Sequence, residues 1–225
     1  MRKAALITGG AQGIGKAIAI RLLVEGMSVL IADCDAEAGR ETQKELGRRC
    51  LFVETDVSNE DHVRRCLREV RRRFRRLDIL VNNAGISIGK PLTRLTRREW
   101  DRVIGVNLTG SFLCAKHAAP LLKRAHGAIL NIASTRAVMS EKNTEAYSAS
   151  KGGVVALTHA LALSLGPSIR VNCILPGWIN VTEWKKTALR KKARLTRQDH
   201  LQHPAGRVGR PEDVAELAAF LLSEK

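Results

Sequence analysis

The chain has 225 residues, of which 44% are hydrophobic, so it can bury a sizeable core as one domain or two. Only 4% of the residues are aromatic, which favours a tightly packed α/β or helical protein over a β-sandwich. The formal charge of +16 raises nucleic acid as a partner. However, the arginines of segment 63–78 alternate with apolar residues at helical spacing, which favours a solvated helix face.

The five cysteines are scattered and contain no Cys-x-x-Cys pair, so the sequence suggests neither a disulfide framework nor a metal site. This usage is typical of a reducing compartment, and we expect a cytoplasmic protein. The first residues pass from a short apolar run into glycines, without the pattern of a signal peptide. No apolar run approaches the length of a membrane span, so no membrane association is expected.

Short apolar runs alternate with longer amphipathic segments along the whole chain. The predicted strands are 4–8, 29–32, 51–53, 79–81, 128–132 and 170–174. The predicted helices are 14–25, 36–46, 59–74, 97–123, 147–165 and 211–223. This alternation predicts an α/β fold, a Rossmann-like doubly wound parallel sheet with helices on both faces. Without a repeat or a linker, residues 1–225 are expected to form one domain.

Gly9, Gly10, Gly13 and Gly15 lie between the first predicted strand and the first predicted helix. Glycines there allow a tight turn and a close approach of phosphate, which the free N–H groups of the helix start can bind. The spacing is Gly-x-x-x-Gly-x-Gly, and a purely structural turn would look similar. The loop alone therefore only suggests a dinucleotide site.

Asp33 strengthens that interpretation because it follows the second strand, where a carboxylate can accept hydrogen bonds from the adenosine ribose. The same charge would repel a 2′-phosphate, so NAD is favoured over NADP. The alternative is that Asp33 merely ends the strand. Lys16 and Arg40 keep NADP open as the less favoured cofactor.

Tyr147 is the only tyrosine, and Lys151 follows it by about one helical turn. A nearby fixed cation stabilises a phenolate, so the pair suggests proton transfer. Two predicted strands end in polar residues, one before Asn82–Gly85 and the other before Ser134 and Thr135. Open α/β sheets bind ligands at that edge, so we expect serine, phenol and ammonium groups to converge there.

In their order and spacing these motifs resemble the single-domain short-chain dehydrogenase/reductase family. The matching segments are TGGAQGIG, DV at Asp56, NNAG, GVNLTGSF, Ser134, YSASK, PG at Pro176 and GRVGRPEDVAELAAFLLSEK. The resemblance implies an NAD(P)-dependent enzyme that transfers a hydride between nicotinamide and a secondary alcohol or ketone, with NAD(H) favoured. It also implies a small-molecule alcohol or carbonyl substrate and a homo-oligomer, a dimer or a tetramer.

The resemblance further implies the catalytic residues Asn107, Ser134, Tyr147 and Lys151. Tyr147 would exchange a proton with the substrate oxygen, Lys151 would assist it and bind the nicotinamide ribose, Ser134 would bind the substrate, and Asn107 would hold a water. From the residues alone, Ser134 could instead cap a turn, and Asn107 could pin two helices. The implied cofactor-binding residues are Gly9, Gln12, Gly13, Ile14, Gly15, Asp33, Asp56, Val57, Asn83, Ala84, Gly85, Tyr147, Lys151, Pro176, Gly177, Ile179 and Thr182.

The chain departs from the family pattern in its last third. Val181 stands where the family usually has threonine, and Thr182 follows it, so the Ile179 backbone is the alternative contact to the carboxamide. Segment 178–204 is predicted to be a substrate lid in which Trp178 and Trp184 either wall a pocket or anchor the lid. Its basic residues either attract an anionic substrate or are simply solvated. The family's final C-terminal strand is predicted to be absent.

Several alternatives stay open beside the alcohol dehydrogenase. One is a 3-oxoacyl-thioester (acyl-carrier-protein) reductase. Another is a non-catalytic dinucleotide-sensing protein, which would be expected to lose the serine, the tyrosine or the lysine. A nucleic-acid binder is not favoured because neither a recognition motif nor an aromatic platform is present. A sugar epimerase would need a different glycine spacing and a longer C-terminal region.

Overall fold

The computed structural model describes residues 2–224. The strands are β1 (Ala4–Thr8), β2 (Ser28–Asp33), β3 (Cys50–Glu54), β4 (Ile79–Asn82), β5 (Ala128–Ile132) and β6 (Arg170–Ile174). The helices are α1 (Gly13–Val24), α2 (Ala36–Leu46), α3 (Glu60–Phe74), α4 (Arg97–Ile104), α5 (Gly110–Ala125), α6 (Glu145–Leu165), α7 (Arg197–Leu201) and α8 (Pro211–Leu222). The strands form one parallel sheet in the order β3-β2-β1-β4-β5-β6, so the predicted fold class is confirmed.

Each face of the sheet has its own apolar core. Successive residues of a strand face opposite sides, so Ile7 of β1 packs with α1 and α8 while Leu6 packs with α3 and α5. Both residues are fully buried. Strands buried on both faces explain why the sequence reads as continuous apolar runs.

Strand order reverses beside β1, which pairs with β2 on one side and with β4 on the other. Leu6 is in register with both Leu30 and Leu80. In open α/β sheets, ligands bind in the crevice beyond the carboxyl ends of strands at such a switch point. The loops that follow β1, β2 and β4 therefore surround the expected binding crevice.

The single helix predicted over 97–123 is interrupted in the structure. Its start is as expected, because the Thr96 side chain and Glu99 form a capping box at α4. A π-helical turn, Gly105–Thr109, separates α4 from α5 and contains the buried Asn107. The wider turn was not predicted because it leaves the apolar spacing on either side almost unchanged.

The segment between β6 and α8 contains little regular structure besides α7, with 3₁₀ turns at Thr182–Trp184 and Thr187–Leu189. A parallel bridge between Ile179 and Gly209 joins the two ends of this segment. Within residues 2–224 no strand follows β6, which forms one edge of the sheet. No helix in that range is both long and apolar enough to cross a membrane.

Candidate active site

Backbone conformation and close contacts require glycine at several positions of the loop after β1. Gly9 and Gly13 have φ of +60° and +55°, a region in which residues with a side chain are strained. A Cβ on Gly15 would lie 2.1 Å from the Gly9 carbonyl oxygen, so the loop cannot accommodate a side chain there. Gln12 precedes α1 without a capping bond from its side chain, which leaves the first-turn N–H groups available to an anion.

Thr8 and Asn83 join the two sides of the crevice. The Thr8 hydroxyl oxygen accepts from the backbone N–H of Asn83 (3.0 Å) and of Ala84 (3.1 Å). The Asn83 amide donates to the carbonyl oxygens of Thr8 (3.0 Å) and Gly9 (2.9 Å). Sequence reasoning missed Thr8, although a hydroxyl at the last position of a buried strand is a usable signal.

A cavity of about 460 Å³ opens at the switch point between these loops. Ten of the predicted cofactor-binding residues line it: Gly9, Gln12, Gly13, Ile14, Asp33, Asp56, Val57, Asn83, Ala84 and Gly85. The other lining residues were not predicted: Ala32, Cys34, Thr55, Ser58, Ile86, Arg102, Val106, Val181 and Lys185. The remaining predicted positions, Gly15, Tyr147, Lys151, Pro176, Gly177, Ile179 and Thr182, lie outside this lining. A glycine-rich loop at one wall and a carboxylate at another fit a dinucleotide.

Asp33 sits at the end of β2 in the wall of the cavity. Its carboxylate accepts from the backbone N–H of Ala11 and of Asp35, both at 3.1 Å. Burial raises the pKa of Asp33, and these hydrogen bonds oppose the shift. Lys16, considered for a 2′-phosphate, is instead buried against Glu45 with its Nζ 2.6 Å from the carboxylate. Arg40 is exposed and does not line the cavity.

Lys151 is buried next to Tyr147 on α6, with only 4% of its surface exposed. Its Nζ lies 5.7 Å from the centre of the Tyr147 ring and donates to the Ile132 carbonyl oxygen at 2.7 Å. Burial lowers the pKa of Lys151 to about 8. Tyr147 is half-buried, so the structure brings the predicted phenol and amine together at the end of β5.

Asn107 is anchored through its side chain. The side-chain oxygen accepts from Ile86 N–H (2.8 Å), and the amide donates to the Ile86 carbonyl (2.9 Å) and to Ser150 Oγ (2.9 Å). A Cβ on Gly85 would lie 3.4 Å from both Lys151 Nζ and Asn107 Oδ1. The side chain thus joins the loop after β4 to α6. Its water-holding role stays a prediction.

Ser134 is buried at the start of a 3₁₀ turn, Thr135–Ala137, that packs against α6. Its Oγ accepts from Arg136 N–H at 3.2 Å, so it does cap a turn. A hydroxyl that accepts one bond still has its own proton to donate. Capping and substrate binding are therefore compatible.

Segment 178–204, predicted to be a lid, meets the glycine loop through Val181. A Cβ on Gly13 would lie 3.3 Å from Val181 Cγ1, whereas the Thr182 hydroxyl donates to Asn180 Oδ1 at 2.8 Å. Trp184 packs against the core. Trp178 is 45% exposed, and its ring centre lies 5.9 Å from that of His203.

A dinucleotide-sized crevice at the switch point of a doubly wound sheet, next to a buried lysine and a tyrosine, defines an NAD(P)-dependent oxidoreductase. The chain belongs to the short-chain dehydrogenase/reductase family. The family profile described as "Enoyl-(Acyl carrier protein) reductase" matches residues 9–225.

Named relatives align over nearly the whole chain. It is 51% identical to an "Uncharacterized oxidoreductase" of Thermotoga maritima, over 99% of this chain and 89% of that one. It is 39% identical to the "(2S)-[(R)-hydroxy(phenyl)methyl]succinyl-CoA dehydrogenase subunit BbsD" of Thauera aromatica, over 99% and 90%. A solved structure, the 3-ketoacyl-(acyl-carrier-protein) reductase from Brucella melitensis complexed with NADH, superposes with a TM-score of 0.88 at 35% identity, over 99% and 91%.

Proposed function

We propose that this enzyme interconverts a secondary alcohol and a ketone with NAD(H) as the preferred cofactor. The observation that carries the proposal is the placement of Lys151 Nζ beside both the Tyr147 ring and Gly85, which lines the cavity. A proton-transfer pair thus borders a dinucleotide crevice.

In this proposal Tyr147 gives a proton to the substrate oxygen or takes one from it. The Lys151 ammonium stabilises the phenolate form, and the Ser134 hydroxyl donates to the substrate oxygen. A nicotinamide, when bound, supplies or accepts the hydride. Asn107 keeps the loop after β4 at a fixed distance from Lys151 through its bonds to Ile86 and Ser150.

The preference for NAD(H) rests on the charge around the start of α2. Four carboxylates lie there, those of Asp33, Asp35, Glu37 and Glu41. Among the described residues the only ammonium paired with any of them is that of Lys186, which bonds Asp35 and Glu37. A 2′-phosphate would add two negative charges to this corner, so NADP(H) is the weaker ligand.

A second candidate is reduction of a 3-oxoacyl thioester, which the names of the Thauera and Brucella proteins favour. The lid also presents exposed cations, Arg190, Lys191, Lys192 and Arg194, that suit an anionic carrier. We further propose a homo-oligomer, supported by the exposed Leu217 and Phe220 of α8. A reducing compartment such as the cytoplasm fits the five free cysteines.

The test is a screen of secondary alcohols, sugars, 3-oxoacyl thioesters and enoyl thioesters with NAD(H) and NADP(H), repeated on Tyr147→Phe. We expect the variant to lose about 10²- to 10⁴-fold in kcat, because the proton donor is gone. The affinity for NADH should change little, since Phe keeps the ring. Turnover by the variant as fast as by the parent would overturn the proposal. So would activity of the parent only on the C=C bond of enoyl thioesters.

A further inference from the structure

We propose that Lys186 is a positioning residue that closes the lid across the adenosine end of the cofactor cavity. The group that does this, here called the latch, consists of Lys186 and Thr187 on the lid and Gln12, Asp35, Glu37 and Glu41 on the body. The inference rests on the proposed function in so far as the cavity is taken to hold the cofactor.

The latch is made of bonds to two separate parts of the body, Gln12 in the cavity wall and the start of α2 next to it. The backbone N–H of Lys186 donates to the Gln12 side-chain oxygen at 2.9 Å, beside the glycine loop. Its Nζ lies 3.1 Å from Asp35 and 2.6 Å from Glu37, at the start of α2. One residue of the lid therefore connects the phosphate loop with the adenosine side.

Thr187 adds a further connection to α2. Its backbone N–H and its hydroxyl both donate to one Glu41 carboxylate oxygen, at 2.9 Å and 3.2 Å. Two consecutive lid residues thus engage three carboxylates that follow β2. A convergent set of bonds fixes a backbone more strongly than a single surface ion pair.

The latch lies beside the cavity and is not a distant surface contact. Val181 and Lys185, which precede Lys186 along the lid, both line the cavity. The Lys186 side chain is only 17% exposed, unlike a typical solvated lid lysine. Opening the latch therefore removes one wall of the cavity.

Only the carboxylates hold the ammonium in place. Asp35 is the N-cap of α2, so Lys186 lies near the positive end of that helix dipole, which repels a cation. The strength of the latch is therefore set by Asp35 and Glu37. A neutral side chain at 186 would leave the lid attached there mainly through its backbone and through Thr187.

Trypsin reports the latch independently of activity, because Arg190, Lys191, Lys192 and Arg194 are exposed beside it. In Lys186→Met we expect cleavage at these sites without cofactor to be about fivefold faster, and the Kd for NADH to rise about fivefold, as about 1 kcal/mol produces. The kcat at saturating cofactor should stay within about twofold, since the proton-transfer residues are untouched.

Three further variants complete the experiment. Lys123→Met is the matched control, an exposed lysine of α5 outside the lid and without a carboxylate partner among the described residues, and it should behave like the parent. Lys186→Arg should restore slow cleavage and tight binding. In Glu37→Gln the effect of Lys186→Met should shrink, because the two groups act together.

The outcomes separate this inference from the proposed function. Faster cleavage with weaker NADH binding supports the latch even if no substrate in the screen is turned over. Cleavage and binding like those of the parent in Lys186→Met overturn it, as does failure of Lys186→Arg to restore them. Faster cleavage with unchanged NADH binding overturns the link to the cofactor, whatever the catalytic activity.

Discussion

At the scale of single residues, burial of the Lys151 ammonium lowers the stability of the folded protein. Burial lowers its pKa from 10.5 to about 8, which corresponds to about 3 kcal/mol of penalty on the ammonium form at neutral pH. Its bond to the Ile132 carbonyl offsets part of that cost. Such a residue persists because the site needs its charge, at the expense of stability.

We therefore expect Lys151→Met to be more stable than the parent at pH 7, by about 1–2 kcal/mol after the lost hydrogen bond is subtracted. The folded pKa lies below the unfolded one, so the penalty is full below about pH 8 and fades as the pH rises toward 10.5. The gain should shrink over that interval and reverse near its upper end.

Urea unfolding of both proteins between pH 6.5 and 10.5 measures this effect. Lys191→Met, which changes an exposed lysine, provides the control and should show no such pH dependence. A constant difference between Lys151→Met and the parent across the range would show that the amine is not destabilised by burial. Turnover by Lys151→Met should be strongly reduced.

Local pattern predicts some residues of the site and misses others for a physical reason. Tyr147, Lys151 and the glycines carry their signal in short spacings. Thr8 bonds to Asn83, 75 residues away, and Lys186 bonds to Gln12, 174 residues away. Such partners are brought together only by the tertiary fold.

At the scale of elements, Gly105, which begins the π-helical turn, and Gly110, which follows it, differ sharply in their surroundings. A Cβ on Gly110 would lie 2.7 Å from Val57 Cγ2, whereas one on Gly105 would have Ser58 Cβ at 3.7 Å as its nearest neighbour. Val57 lines the cavity, so a side chain that displaces Val57 from α5 also changes the shape of the cavity wall.

We expect Gly110→Ala to lose about 1–3 kcal/mol of stability through overpacking and to bind NADH more weakly as Val57 is displaced. Gly105→Ala should be neutral or stabilising by about 0.5–1 kcal/mol, because alanine has less backbone entropy to lose. Thermal unfolding and NADH titration of the two variants check this. Equal effects at both positions would contradict the packing argument.

Strand positions followed closely from the apolar runs, because strands buried on both faces must be apolar throughout. Predicted strand 128–132 matches β5, and 29–32 falls within β2, Ser28–Asp33. The π-helical turn could not be predicted, since Asn107 acquires its bonds to Ile86 and Ser150 only when α6 and the loop after β4 meet. The order of apolar runs along the chain thus predicted the strands of the sheet. The irregular turn depends instead on hydrogen bonds that form only in the tertiary structure.

At the scale of the whole molecule, segments far apart in sequence contribute to one cavity. Its walls come from the loops after β1, β2, β3 and β4, from α4 and from Val181 and Lys185 of segment 178–204. A ligand that bridges these walls should stabilise the entire domain.

Cofactor binding should accordingly be visible as a shift in the thermal midpoint. NADH at about 100 times its Kd adds about 2.7 kcal/mol, which for a chain of this length raises Tm by about 5–10 °C. The same concentration of NADPH should raise Tm by less than half as much, because its 2′-phosphate meets the carboxylates of Asp33 and Asp35. In Asp33→Asn the two shifts should approach each other, since the side chain keeps its shape and loses its charge. Equal shifts in the parent, or a preference for NADPH, would show that the negative corner after β2 does not select the cofactor.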